Sequence, residues 1–145
     1  MNAKLLMCAV VLAAGVVHAG AFTGQLKKMT GVDVAAKASA GDIKLPEAYG
    51  YLEKAKVVAG ADGSVAEIRC ENKFPAAHSQ EAVVVAAEAI LKKIQSDFSV
   101  SGCDTTSGDV WGRAIRFSDS SWTARLTVTK DTAGGWTLSL VFEKR

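Results

Sequence analysis

The chain has 145 residues, of which 49% are apolar, so one domain can bury a real core without help from a metal. Its 17 basic and 15 acidic side chains leave a formal net charge of +2. That balance, with the basic residues scattered, argues against a nucleic-acid footprint and against binding to an anionic membrane.

The first element is an address. Lys4 and the free amine precede an unbroken apolar run from Leu5 to Val17, and small residues follow at Ala19, Gly20 and Ala21. A bilayer span needs about 20 apolar residues, whereas this run has the length of a secretory leader. Residues 1–21 are therefore read as a cleaved signal peptide. The small-residue rule fits a cut before Gly20 and fits equally well a cut before Phe22. Cys8 lies ahead of most of the apolar run, which is the wrong place for lipidation, and it leaves with the leader. Export implies an oxidising compartment, and the remaining pair, Cys70 and Cys103, is expected to form a disulfide. Closing that loop would stabilise the fold by roughly 3.5 to 4 kcal/mol.

Residues 22–45 read as an N-terminal arm or a short docking helix, with Phe22, Leu26 and Met29 in partial helical spacing and Gly31 and Gly41 interrupting. Residues 46–145 read as a single α+β domain. Within it, Asp62-Gly63 is the pair that two-residue type I′ hairpins prefer. It predicts facing pairs Ala59 with Ala66, Val57 with Ile68, Ala55 with Cys70, and Tyr51 with Phe74. The opposite face then collects Lys54, Lys56, Glu67, Arg69, Glu71 and Lys73, as on a sheet with one wet side. Glu67 and Glu71 lie roughly 13 Å apart on that face, too far for paired-carboxylate chemistry and surrounded by cations.

A helix is predicted from Gln80 to about Phe98, with Ser79 as its N-cap. Val84, Ala87, Leu91, Ile94 and Phe98 form the stripe to be buried, and Glu88 with Lys92 makes an i,i+4 pair on the other side. The helix should stop near Gly102, delivering Cys103 beside the sheet and within reach of Cys70. A loop from Asp104 to Asp109 follows, with clustered oxygens but without the acid spacing and closing glutamate of a calcium loop. Three strands then end the chain, Val110 to Phe117, Trp122 to Thr129 and Trp136 to Glu143. A turn at Asp119-Ser120 pairs Phe117 with Trp122, Ile115 with Ala124 and Arg113 with Leu126, and it places all three tryptophans on the core face.

The expected architecture is an antiparallel sheet made of a hairpin plus a three-stranded meander, in ββαβββ order, with one long helix on its apolar face and one disulfide. Candidate sites are few. His78 is the only histidine left after processing, which removes two-histidine metal sites, and no metal or cofactor is expected. Arg113 breaks the apolar alternation of its strand. It must snorkel to a rim against Trp111, find a carboxylate, or line a pocket that takes an anionic group. Arg113 and Trp111 are thus the candidate binding residues, with no catalytic residue assigned. The function expected is a small exported, non-catalytic binding protein of the bacterial periplasm or cell surface, of enzyme-inhibitor, immunity or envelope-accessory type. Its partner would be another envelope or secreted protein, with no nucleic acid and no stable membrane insertion after cleavage. The alternatives are a small hydrolase using Asp104 or Asp109 with Arg113 as an electrostatic stabiliser, and a carrier of a small apolar or anionic ligand between helix and sheet.

Overall fold

The computed structural model describes residues 22–35, 43, 45, 49–107, 110–118 and 120–145. The proposed signal peptide at 1–21, part of the 22–45 arm, Asp109 and Asp119 lie outside the described residues. The elements are α1 (22–30), β1 (Lys54–Ala59), β2 (Val65–Phe74), α2 (Gln80–Asp97), β3 (Val100–Thr105), β4 (Trp111–Phe117), β5 (Trp122–Lys130) and β6 (Trp136–Lys144).

The six strands form one antiparallel sheet in the order β1-β2-β6-β5-β4-β3. The chain makes a hairpin, crosses the sheet as α2, enters again at the far edge and meanders back until β6 pairs with β2. This corrects the expected ββαβββ order to ββαββββ. The unexpected strand is β3: the helix, expected to stop near Gly102, ends at Asp97, Gly102 lies in mid-strand, and Asp104 and Thr105 of the expected Asp104–Asp109 loop are strand. Its sequence, VSGCDT, is poor in β-formers and lacks clean alternation, so its extended state comes from pairing with β4, and it forms an edge with a bulge between Val100 and Gly102.

That extra strand removes the disulfide. Cys70 lies on β2 and Cys103 on β3, with β6, β5 and β4 between them. Four strand spacings amount to roughly 19 Å, whereas a disulfide requires Cα atoms within about 7 Å. Both thiols are free, Cys70 buried and Cys103 half-buried. Each faces the helix side, since Cys103 stands opposite Ile115 and Cys70 opposite Leu140. Cys70 thus faces inward as its strand alternation predicts, while Cys103 sits on the far edge strand instead of beside Cys70.

Turn chemistry needs a second correction. The β1–β2 connection is not a two-residue type I′ turn. Gly60 N–H donates to Ser64 O at 2.8 Å, Gly63 N–H donates to Gly60 O at 3.0 Å, and Gly63 has φ +82°. This is a three-residue loop ending in a left-handed glycine. The β5–β6 connection repeats it, with Asp131 N–H to Gly135 O at 3.0 Å, Gly134 N–H to Asp131 O at 3.1 Å and Gly134 at φ +89°. The longer first loop pairs Ala59 with Val65 instead of Ala66, and a bulge beside Val58 restores the predicted Val57–Ile68 and Ala55–Cys70 pairs. Tyr51 lies beyond the ladder and is exposed.

Ser79 caps α2 by accepting the Ala82 N–H at 3.1 Å, and Phe98 closes it with an N–H to Ile94 O at 2.8 Å. Ser79→Ala is expected to cost about 1 kcal/mol, read from the midpoint of urea unfolding. The buried row is Val83, Ala86, Ala87, Ile90 and Ile94, so the helix is rotated relative to the expected stripe. The two rows share Ala87 and Ile94, the expected Phe98 is buried just past the helix end, and both rows have helical spacing. Only the sheet beneath selects between them, and Val84 and Leu91 end at the flank. The expected Glu88–Lys92 pair is not formed. Lys93 instead meets Asp97 at 3.1 Å.

The core lies between α2 and the sheet, and α1 adds Phe22, Leu26 and Met29 to it. The Phe22 ring packs 4.8 Å from Phe117 and 5.6 Å from Phe98, centre to centre. Tyr49 is buried and donates its hydroxyl to Asp97 at 2.8 Å, tying the chain ahead of β1 to the end of α2.

Candidate functional site

Alternation along β4 places Trp111, Arg113, Ile115 and Phe117 on the helix side. Arg113 stands opposite Leu126 on β5, as the sequence predicts, and opposite Thr105 on β3. Its guanidinium carbon lies 4.5 Å from the centre of the Trp111 ring, and Nη1 donates to Gly112 O at 2.7 Å. Among the described residues no carboxylate sits in ion-pair range of it. A half-buried arginine held this way keeps its charge at the rim while its stem covers apolar surface.

The edge strand β3 stops at Thr105, opposite Arg113, so Val110 and Trp111 project beyond its cover. Facing them is the first half of α2. Between these walls lies an open depression of about 410 Å³, with Val84, Val85, Val110 and Trp111 as its apolar lining and Gln80, Glu81 and Glu88 at its border. Val85 is 63% exposed and Val110 36% exposed. These valines were not expected at a site, because Val84 was assigned to the buried stripe. A signal was present nonetheless. Three consecutive β-branched residues weaken a helix, and only one of Val83, Val84 and Val85 can point into the core.

Of the hydrolase alternative's groups, Asp104 and Arg113 do not converge. Asp104 pairs in register with Ala114 and so lies on the outer face of the sheet, where it is exposed and ion-paired with Arg116. Arg113 projects from the other face, and Asp109 lies outside the described residues. For the carrier alternative, the relevant space is the helix–sheet interface. Ile68, Ile90, Ile94, Ile115, Leu126 and Leu140 each show 0% exposure there, so no water-sized void touches them.

His78 is exposed. Its backbone carbonyl accepts the Trp136 indole N–H at 3.0 Å and its ring stands edge-on to Phe74 at 5.3 Å, both contacts that fix the entry to α2. Among the described residues there is no grouping of three or more His, Cys, Asp or Glu side chains suited to a metal ion, and no helix is long and apolar enough to cross a membrane.

The fold defines an α+β protein with helices on one face of an antiparallel sheet. No protein-family model matches the chain, and no curated protein matches it.

Proposed function

We propose that this is a small exported, non-catalytic binding protein of the bacterial periplasm or cell surface, whose partner is another envelope or secreted protein. The observation that carries the reading is the apolar patch at the mouth of the helix–sheet interface, in which Val85 and Val110 are exposed and Val84 and Trp111 half-buried. Aliphatic side chains left in water beside a tryptophan and an arginine have the make-up of an interface hot spot. Packing of the core does not require Val85, since α2 buries Val83, Ala86, Ala87, Ile90 and Ile94 instead, whereas Trp111 packs partly against that core. Inhibitor, immunity and envelope-accessory roles all use such a surface, and the fold does not choose among them.

The test is affinity capture from the envelope fraction with the wild-type protein, Trp111→Ala and Val85→Glu. A single protein should be recovered by the wild type, and Trp111→Ala should weaken its binding by about 30-fold or more. The helical circular dichroism of both variants should stay unchanged. Equal recovery by the wild type and both folded variants would remove the patch from the function, and failure of the wild type to retain any protein would remove the binding class.

A further inference from the structure

Glu81 and Glu88 stand two turns apart on α2, which places them about 10 Å from each other along the helix axis, with Val84 and Val85 in the interval. Both carboxylates border the depression whose far wall is Val110 and Trp111. Neither takes part in an ion pair among the described residues. Glu81 suits the first turn of a helix, but Glu88, in mid-helix with Lys92 one turn on and not paired to it, has no such local reason. On the sheet side, Arg113 is directed at the Trp111 ring and the Gly112 carbonyl, and Lys130 lies over the Trp136 ring.

We infer that this groove receives a protein segment in which aliphatic side chains are flanked by lysine or arginine, the aliphatic residues covering Val84, Val85 and Trp111 and the cations meeting Glu81 and Glu88. The inference rests on the reading of this patch as a docking surface and adds the chemistry of the partner. Charge complementarity selects the occupant. A second copy of the chain, docked with α2 against α2 about a two-fold axis, would bring Glu81 and Glu88 of one copy against the same acidic pair of the other, a like-charge contact. An anionic lipid surface would be repelled by the same two groups. A cationic segment neutralises them and buries the valines.

The test uses purified protein carrying 13C-labelled valine methyl groups and two synthetic helical peptides. Both carry a central Leu-Leu pair. One has lysines seven residues apart on either side of it, and the other has glutamates at those positions. The lysine peptide should shift the Val84, Val85 and Val110 methyl signals and bind about five-fold or more tighter than the glutamate peptide at low salt. That preference should fade at high ionic strength. The double variant Glu81→Lys with Glu88→Lys should reverse it. Equal binding of the two peptides, shifts located elsewhere, or no shift of these valines with either peptide would overturn the inference. Concentration-dependent shifts of the same valines without peptide would overturn it in favour of self-association. If neither peptide moves the valines while a captured envelope protein still depends on Val85, the cationic partner is wrong and the docking surface stands. If capture also loses its dependence on Val85, both readings fall.

Discussion

Replacing Phe142 with alanine is expected to lower the unfolding free energy by about 3 to 5 kcal/mol, a large fraction of the roughly 5 to 15 kcal/mol available to a domain. Phe142 lies on β6, has 0% exposure and stands between Ile68 of β2 and Ala124 of β5. Its ring centre is 6.0 Å from that of Phe98 and 5.9 Å from that of Phe117. Removing the ring therefore opens a cavity where the hairpin, the meander and the end of α2 meet, and the surrounding strands cannot close it without breaking ladders. Urea unfolding with an unchanged slope would measure the loss. Arg125→Ala, on the exposed outer face one residue along from Ala124, should change stability by no more than about 0.5 kcal/mol. A Phe142→Ala cost below about 1.5 kcal/mol would contradict the central place of β6 in the sheet.

Raising the pH from 8 to about 11 is expected to destabilise the protein by on the order of 3 kcal/mol through Cys70 alone. Burial pushes the Cys70 thiol from its ordinary value near 9 up to about 12. The folded protein thus holds the proton more tightly than the unfolded chain does. The contribution is fully present below about pH 9 and is lost as pH rises through 12. Tyr49 acts in the same sense above its ordinary value near 10, because burial first, and then its hydrogen bond to Asp97, raise the phenol. Cys70→Ala should flatten the decline between pH 9 and 12, which unfolding midpoints measured across that range would detect. At pH 7 a thiol reductant should leave the unfolding curve unchanged, and Cys70 should react with a thiol reagent only after denaturation. A reductant-dependent loss of roughly 3.5 to 4 kcal/mol would instead mean that Cys70 and Cys103 are joined, and the position of β3 would have to be abandoned.

The candidate site was only half legible. Arg113 is conspicuous in sequence because a charge interrupts an apolar alternation, and its contact with Trp111 follows from their i,i+2 spacing on one strand face. Val84 is not conspicuous, since an apolar residue at helical spacing reads as core until the sheet beneath it is known, and Val110 reads as one more apolar residue of a strand. Which of two overlapping rows faces inward is a question of rotation by about one helical position, and periodicity is nearly blind to it.

What the sequence by itself determined is local. The Ser79 cap, the start of α2 at Gln80, the inward alternation of β4, β5 and β6, and the Arg113–Leu126 and Ile115–Ala124 register follow from spacing and turn residues within a few positions of each other. Tertiary structure alone decided that VSGCDT becomes a strand, that the last strand inserts beside β2, that Cys70 and Cys103 lie four strands apart, and that Val85 of α2 remains in water with Val84 half-buried beside it. Those outcomes depend on which strand edges meet, and edge pairing is a contact between distant segments that leaves almost no trace in the local pattern of either one.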